Sequence, residues 1–334
     1  MAKRKKRKTK TKSTDKFLKY TVWVLAVIAA FLAMFLVGYY FGYSSAKKDV
    51  SSKLAINEKQ TKEALYKLKK VQKEKNSLKK ELKDVLDKGM KNYDITAAHE
   101  VENKQIPKRP KRDVIHLDAS SKPKLAIIFD DVSFKYQVKA IKALNLNITM
   151  SFFPPSAIHP DTPKFASKEP FYMIHLPMEA MNFHKEESYT LKAGDSLDTI
   201  DKRIYEIKQL FPRVHYINNH TGSKFTADKA SVEKLIKVLD KYDIKIIDSR
   251  TTAKTQIPVV LKELGRKYIA RDVFLDHKGD VKSIKKQIKE AVRIAKQYGT
   301  AIAIGHPHPN TIKALYQMRN YLKKEVKLVY VNQL

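Results

Sequence analysis

The chain of 334 residues contains no cysteine. This absence excludes disulfide bonds, thiolate nucleophiles and zinc sites with sulfur ligands. Any metal site must therefore be built from histidine, aspartate, glutamate or water. The absence does not identify the redox compartment, because a large domain folds without disulfides and a hydrophobic content of 43% can supply its core.

Acidic residues are scarce relative to basic ones. There are 35 Asp and Glu against 67 Lys and Arg, which gives a formal net charge of +32. The excess is shared about equally between residues 1–120 and 121–334, and in the second part lysines recur on amphipathic helices such as Val281–Gln297. No recognised nucleic-acid-binding motif accompanies the charge. We interpret it as solvated surface and do not expect nucleic acid as a partner.

Charge is also absent between Lys19 and Lys47, where YTVWVLAVIAAFLAMFLVGYYFGY extends over residues 20–43. A helix of this length crosses a bilayer core about 30 Å thick. A cleaved signal peptide is the alternative, but its apolar region is normally only about 7–15 residues long. Nine Lys and Arg among the first sixteen residues predict that the basic tail, residues 1–19, is cytoplasmic. We expect a single-pass signal anchor in the inner (cytoplasmic) membrane, with the C-terminal domain periplasmic or otherwise extracytoplasmic.

A 4-3 spacing of mainly apolar residues follows the anchor, within residues 46–90. It runs through Val50, Leu54, Asn57, Thr61, Ala64, Leu68, Val71, Lys75, Leu78, Leu82 and Val85. The pattern is typical of a coiled-coil seam and favours a homodimer, and a single charged spacer helix is the alternative. Residues 91–122 hold Pro107 and Pro110 in a charged, aperiodic stretch and are predicted to be a linker.

From residue 123 to residue 334, short β-branched or aromatic runs alternate with amphipathic helical stretches. The runs are KLAIIFDD, ITMSFFP, FYMIHLP, VHYINNH, KIIDSR, YIARDVFLD, AIAIGHP and VKLVYV. This alternation predicts an α/β domain with a parallel sheet or barrel.

Polar side chains lie at or near the carboxyl ends of six of these runs, the edge at which parallel α/β folds build their sites. They are Asp130, Asp131, His175, Asn218, Asn219, His220, Asp248, Ser249, Arg250, Arg271, Asp272 and His306. Adjacent aspartates with several histidines suit a divalent metal, since one Asp can bind the ion while the other accepts a proton from water. Taken singly, such an Asp more often caps a helix, and such a His is more often a hydrogen-bonded core residue.

Six motifs resemble, in their order and spacing, those of the divergent polysaccharide deacetylase family, a branch of the polysaccharide deacetylase superfamily. They are IIFDD, IHLPME, NNHTGSKFT, DSRTT, RDVFLD and IGHPHPNT, and the resemblance covers Lys124 to Leu334. It implies a distorted (β/α) barrel of the polysaccharide deacetylase type. It also implies metal-dependent hydrolysis of an amide carbon–nitrogen bond, the N-acetyl group of a cell-envelope glycan.

The resemblance implies a role for each matching residue. Asp130 matches the catalytic base, and His306 matches the general acid. Asp131 and His175 match metal ligands, with Zn²⁺ as the default ion of a set that also suits other divalent cations.

The remaining positions depart from the superfamily pattern. Glu179 replaces the second histidine of the metal triad and is an additional candidate ligand. His220, in NNHTGS, stands where typical enzymes have an arginine–proline motif, and we expect it to be a substitute metal ligand. Substrate-binding or orienting roles are expected for Asn219, Asp248, Arg250, Arg271, Asp272 and His308.

These departures leave a second interpretation open. A membrane-tethered glycan-binding or envelope scaffold protein could retain the fold and the metal site without turnover. Retention of both Asp130 and His306 favours an enzyme, because a binding protein needs no acid and base beside a metal. A coiled-coil adaptor of the envelope would explain residues 50–85 but not the polar residues at the strand ends.

Overall fold

The computed structural model describes residues 12–91, 112, 114, 122–183 and 185–334, without the side chains of 12–15, 71, 74, 75, 77–79 and 81–91. The chain divides into two compact units, Met1–Asn76 and Ser77–Leu334. The predicted linker lies outside the described residues, apart from Lys91, Arg112, Val114 and Lys122. The same is true of residues 1–11 of the predicted basic tail.

Helix α1, Lys12–Lys91, joins the predicted anchor and the predicted coil in one helix of 80 residues. It is the one helix among the described residues that is long and apolar enough to span a membrane, with a mean hydropathy of 2.5 in its best window. An anchor and a signal sequence near the N-terminus both have these properties. In the single chain the seam positions Val50, Leu54 and Leu68 are exposed. The side chains of the later seam positions from Val71 onward lie outside the described residues, so the coiled coil stays a prediction.

The remaining elements form the predicted α/β domain. Its strands are β1 Lys124–Val132, β2 Thr149–Phe152, β3 Tyr172–Met178, β4 Tyr216–Thr221, β5 Lys245–Ile247, β6 Val273–Phe274, β7 Thr300–Gly305 and β8 Lys327–Val329. Its helices are α2 Lys135–Ala143, α3 Thr162–Ala166, α4 Leu197–Leu210, α5 Lys229–Lys241, α6 Ile257–Glu263, α7 Val281–Tyr298 and α8 Pro309–Glu325. Short 3₁₀ helices occupy Phe225–Ala227 and Val331–Gln333.

All the strand pairs are parallel, in the order β5-β4-β3-β2-β1-β7-β6, and β8 pairs with the first half of β1. The edges β5 and β6 approach each other through one parallel bridge between Asp248 and Ala270. The Asp248 N–H donates to the Ile269 carbonyl at 3.0 Å, and the Arg271 N–H donates to the Asp248 carbonyl at 3.0 Å. The sheet is therefore curled nearly into a closed barrel, and the predicted distorted (β/α) barrel is confirmed.

The two faces of the curled sheet bury different side chains, because neighbouring residues of a strand point to opposite faces. Leu125, Ile127 and Phe129 of β1 pack with the helices in the larger core. Ala126 and Ile128 belong to a smaller core inside the barrel, which also contains Met173, Ile247, Ile302, Ile304 and Val331. The next inward positions along these strands, towards their carboxyl ends, are polar, and they form the candidate site.

Candidate metal centre

Asp130 and Asp131 turn into the same space because β1 is irregular at its end. Asp130 follows Ala126 and Ile128 on the inner face, whereas a regular strand would point Asp131 outwards. Asp131 has φ +57°, and the pairing of β1 with β2 shifts register between Phe129 and Val132. Both carboxylates consequently face one imidazole: His175 Nδ1 lies 3.6 Å from Asp130 Oδ2, and His175 Nε2 lies 3.4 Å from Asp131 Oδ1.

Asp131, His175 and His220 bring three ligand atoms into a small triangle. Asp131 Oδ1 lies 3.4 Å from His175 Nε2 and 3.3 Å from His220 Nδ1, and the two nitrogens are 3.2 Å apart. Ligands about 2.0–2.1 Å from a tetrahedral ion are about 3.3 Å from one another. The three side chains, all buried, therefore have the spacing of three corners of a divalent metal site.

The electrostatics of Asp131 fit the same interpretation. Both of its carboxylate oxygens are buried and accept no well-formed hydrogen bond from the described protein atoms. Burial opposes ionisation, but the contact with His220 and the charges of His220, His306 and His175 outweigh it and lower the pKa of the carboxyl. Since buried polar oxygens are normally satisfied, an ionised carboxylate among imidazoles is a suitable donor for a cation.

His306 approaches the triangle from β7, with its Nε2 3.8 Å from Asp131 Oδ2. Its other side contacts Asp276, whose Oδ1 lies 3.2 Å from His306 Nδ1 and whose Oδ2 accepts the His306 backbone N–H at 2.7 Å. Gly305 permits this approach, because a Cβ there would lie 3.3 Å from Asp276 Oδ2. Burial opposes ionisation of Asp276, but the charge and hydrogen bonds of His306 hold the pKa of this carboxyl below its usual value.

Asp276, His306 and His308 form a second group with ligand-like spacing among the described residues. The Asp276 carboxylate already engages His306 at two points and accepts the Thr311 hydroxyl at 2.7 Å. This group is therefore a hydrogen-bonded support for His306. The His308 ring lies 5.2 Å from that of His306, and its expected contact with substrate stays a prediction.

Phe153 covers the imidazoles of the triangle. Its ring lies 4.7 Å from that of His220, edge to face, and 5.4 Å from that of His175. His159 stacks on Phe153 at 5.5 Å. These rings exclude water from one side of the triangle and strengthen the interactions between its charges.

Asn218 is a site residue that the sequence places among the strand-end polar residues but to which no role was assigned. Its Nδ2 donates to Asp130 Oδ2 at 2.8 Å from the inner face of β4. Alternation from Tyr216, which packs against the inner core, through Asn218 to His220 is the sequence pattern that could have identified it. Asp276, the last residue of RDVFLD, was overlooked in the same way, although it follows Phe274 on the inner face.

Five of the expected orienting residues instead brace the loops around the site. Asn219 points away from Asp130: its Oδ1 accepts the Ser249 N–H at 2.9 Å, and its Nδ2 donates to the Thr221 carbonyl at 2.7 Å. Asp248 accepts the hydroxyls of Thr255 and Tyr268 and the N–H of Arg250. The two arginines are crossed: Arg250 donates to the Arg271 carbonyl, and Arg271 donates to the carbonyls of Ser249 and Arg250.

The fifth of these residues, Asp272, lies at the beginning of β6, away from the carboxyl end of the strand. Its carboxylate pairs with Arg112 and accepts the Ile302 N–H at 2.9 Å. Asp276 is the aspartate of this run that contacts His306, and the orienting or substrate-binding role expected of Asp272 stays a prediction.

Glu179 also departs from the role expected of it. Its carboxylate accepts Lys224 Nζ at 2.9 Å and the Ala193 N–H at 3.0 Å, and its pKa is lowered because these contacts outweigh partial burial. It is not a member of either group of metal-ligating side chains. Its contacts instead hold the loop after β3 against the loop after β4, and His220 is the residue that completes the triangle.

Comparisons with known proteins agree with this fold and identify a family. The model of the family described as divergent polysaccharide deacetylase matches residues 127–334. The uncharacterized protein YibQ of Escherichia coli K12 is 33% identical over 216 residues, which are 63% of this chain and 67% of YibQ. An uncharacterized protein of Haemophilus influenzae is 32% identical over 213 residues, 63% of this chain and 76% of its own.

Among solved structures, the uncharacterized protein ATU2773 of Agrobacterium tumefaciens C58 resembles this chain with a TM-score of 0.56 and 19% identity. The likeness covers 66% of this chain and 92% of that protein and concerns the fold alone. The family match, by contrast, covers the barrel from residue 127 of β1 onward and every residue of the triangle. The chain belongs to the divergent polysaccharide deacetylase family.

Proposed function

We propose that this protein is a membrane-anchored, metal-dependent deacetylase that removes N-acetyl groups from a cell-envelope polysaccharide. One observation carries the proposal: beside the buried triangle of Asp131, His175 and His220, Asp130 lies 3.6 Å from His175 and His306 lies 3.8 Å from Asp131. A glycan-binding protein would need no carboxylate base and no imidazole acid beside such a triangle.

The triangle would hold the metal ion, and Zn²⁺ suits a site of two imidazoles and one carboxylate. When bound, a divalent cation supplies Lewis-acid polarisation of an acetamide carbonyl and acidifies water. Asp131, held ionised in the site, would be the anionic ligand. Phe153 would limit the access of bulk water to the two imidazoles.

The acid and base steps are assigned to the groups that flank the triangle. Asp130 accepts the proton of the water that attacks the acetamide carbon. His306, whose Nδ1 contacts Asp276, presents Nε2 towards the triangle and donates a proton to the amine nitrogen as the C–N bond breaks. Water and the amide are thereby converted into acetic acid and an amine, which ionise to acetate and ammonium, and the transfer of one proton from Asp130 back to His306 restores both groups.

Acetate release tests the proposal. The purified full chain, in detergent, would be given chitin oligomers and peptidoglycan fragments before and after removal of metal with a chelator. We expect release that stops on chelation and returns when a divalent ion is added. Binding of glycan with no acetate from any substrate, at full metal occupancy, would instead support the alternative of a glycan-binding or scaffold protein.

The location and partners belong to the same proposal. The apolar segment of α1 would anchor the chain in the inner membrane with the basic tail in the cytoplasm, which places the barrel next to envelope glycan. The coil would make a homodimer. A reporter fused after Leu334 should be active outside the cytoplasm, and activity inside it would reverse the proposed topology.

A further inference from the structure

The structure assigns to Asn218 the role of positioning the catalytic base, an inference that rests on the deacetylase function proposed above. Asn218 Nδ2 donates to Asp130 Oδ2 at 2.8 Å, and both side chains are fully buried. By the resemblance, NNHTGS stands where typical enzymes have an arginine–proline motif, and in this chain a neutral amide from β4 contacts the base.

The amide of Asn218 can adopt only one orientation in this network. A serine hydroxyl, Ser151 Oγ, donates to Asn218 Oδ1 at 2.6 Å, and this oxygen has no proton to offer a carboxylate. Both hydrogens of Nδ2 are also assigned, one to Asp130 Oδ2 and one to Ser249 Oγ at 3.0 Å. Every polar atom of the Asn218 side chain therefore has a partner. Turning the amide over would place its oxygen against the Asp130 carboxylate, because the serine hydroxyls can exchange donor and acceptor roles but the carboxylate cannot.

The network connects side chains on or next to four different strands of the barrel. Asp130 lies on β1, Ser151 on β2, Asn218 on β4 and Ser249 just after β5, and all four side chains are buried. Between them, β3 places His175 level with Asn218 in the sheet register. Because buried hydrogen bonds restrict the movement of the groups that they join, Asn218 holds Asp130 Oδ2 in place beside the triangle.

The neighbouring asparagine shows that this contact is specific. Asn219 is equally buried, but its amide bonds the backbone of Thr221 and Ser249 and the Thr251 hydroxyl, and it braces two loops. Strand alternation places only one of the two asparagines on the inner face. Removal of Asn218 should therefore affect catalysis as well as folding.

The first test compares buried polar groups of similar environment. Asn218→Ala should lower kcat for acetate release about 10–100-fold, with KM and metal content near those of the wild type. Ser151→Ala, which removes only the hydrogen bond to the Asn218 amide oxygen, should lower kcat roughly tenfold or less. Thr226→Val, which removes a buried hydroxyl bonded to the Gly222 carbonyl, is the matched control and should leave kcat within about threefold. If the loss of kcat in Asn218→Ala is accompanied by a proportionate loss of bound metal or by a lower melting temperature, the assignment is overturned.

A double-mutant cycle then asks whether Asn218 acts through Asp130. On an Asp130→Asn background, Asn218→Ala should cause almost no further loss of kcat, because the group that it positions has gone. Independent, multiplicative losses would show that Asn218 acts in another way and would overturn the inference.

A spectroscopic measurement separates this inference from the proposed function. In protein with ¹⁵N-labelled asparagine, both side-chain protons of Asn218 should exchange slowly with solvent, and Asp130→Ala should accelerate the exchange of one of them. If this signature is present while the wild type releases no acetate, the contact exists but the deacetylase proposal fails. If the wild type turns over and Asp130→Ala leaves the Asn218 protons unchanged, the positioning role fails alone.

Discussion

Asp276 holds His306 at two points: one carboxylate oxygen accepts the His306 backbone N–H at 2.7 Å, and the other lies 3.2 Å from Nδ1. The two residues follow different strands, Asp276 after β6 and His306 after β7, and they approach closely at Gly305. With Nδ1 engaged by a carboxylate, the imidazole has one orientation and presents Nε2 to the triangle. The proposed acid, His306, therefore depends on a carboxylate that follows a different strand.

Replacement of Asp276 by asparagine should lower activity without emptying the metal site. Asp276→Asn keeps the size of the side chain but removes the charge that favours a protonated His306, and a loss of kcat of about 10–100-fold is expected. Steady-state acetate release and elemental analysis of metal measure the two quantities. Asp280→Asn, at the N-cap of α7, is the control, since asparagine is an equally good cap. Unchanged kcat in Asp276→Asn would remove this residue from the mechanism.

Substitutions of the two adjacent aspartates should have different effects on metal content and on activity. Asp131→Ala removes a corner of the triangle and should lower metal content together with activity, as should His175→Ala and His220→Ala. Asp130→Asn should leave metal bound and reduce turnover about 10²–10⁴-fold, the loss typical of a positioned general base. Metal analysis beside acetate release distinguishes these patterns. If Asp130→Asn empties the site as fully as Asp131→Ala, both aspartates are ligands and the division of roles is wrong.

Arg112, in the predicted linker, should contribute to the stability of the barrel. Its guanidinium pairs with Asp272, whose side chain is only 3% exposed, and lies 5.0 Å from the centre of the Tyr298 ring. Arg112→Ala leaves that carboxylate buried without its cation and should lower the free energy of unfolding by about 1–3 kcal/mol.

Denaturant unfolding of the full chain in detergent, followed by a barrel-specific probe, would measure this effect. The double variant Arg112→Ala, Asp272→Asn should recover part of the loss, because it removes the unpaired charge. The exposed pair of Arg266 with Asp240 offers the matched control, and Arg266→Ala should cost less than about 1 kcal/mol. If Arg112→Ala and Arg266→Ala lower the free energy of unfolding equally, the ion pair of Arg112 stabilises the barrel no more than an exposed ion pair does.

The N-cap of α5 should make stability depend on pH. Asp228 Oδ2 accepts the Ser231 N–H at 2.9 Å, and hydrogen bonds from the Ser231 hydroxyl and N–H lower the pKa of the Asp228 carboxyl. A lowered pKa stabilises the fold above the unfolded-state value of about 4, and this contribution is lost as pH falls through the folded-state value.

Asp228→Ala should therefore lower the free energy of unfolding by about 1 kcal/mol at pH 7 and by progressively less as pH falls below about 4. Unfolding titrations from pH 7 to pH 3 would show the convergence with wild type. Asp228→Asn keeps the capping oxygen but does not titrate, so it should be close to wild type at pH 7. A constant difference between Asp228→Ala and wild type at every pH would contradict the capping role of the charge.

Much of this architecture was predictable because it depends on local patterns. An uncharged run of membrane length, a 4-3 repeat and eight alternating β runs are readable along the chain, and the last of these led to the barrel that the structure has. The six motifs led to the family. Strand-end position placed Asp130, Asp131, His175, His220 and His306 among twelve candidates, because polar residues at the carboxyl ends of parallel strands meet at one edge of a sheet. The resemblance then gave these five residues their expected roles.

What only the tertiary structure decided is which of several adjacent polar residues face that space. The position of Asp131 depends on a left-handed residue and a register shift, which bring two neighbours of one strand to the same side. Asn218 rather than Asn219, and Asp276 rather than Asp272, reach the site because of strand register and the exact end of β6. Glu179 and Arg112 find partners 45 and 160 residues away along the chain. Composition and spacing determine which chemical groups are available, but contacts between distant strands determine their orientation, because side-chain direction depends on pairing that no local sequence encodes.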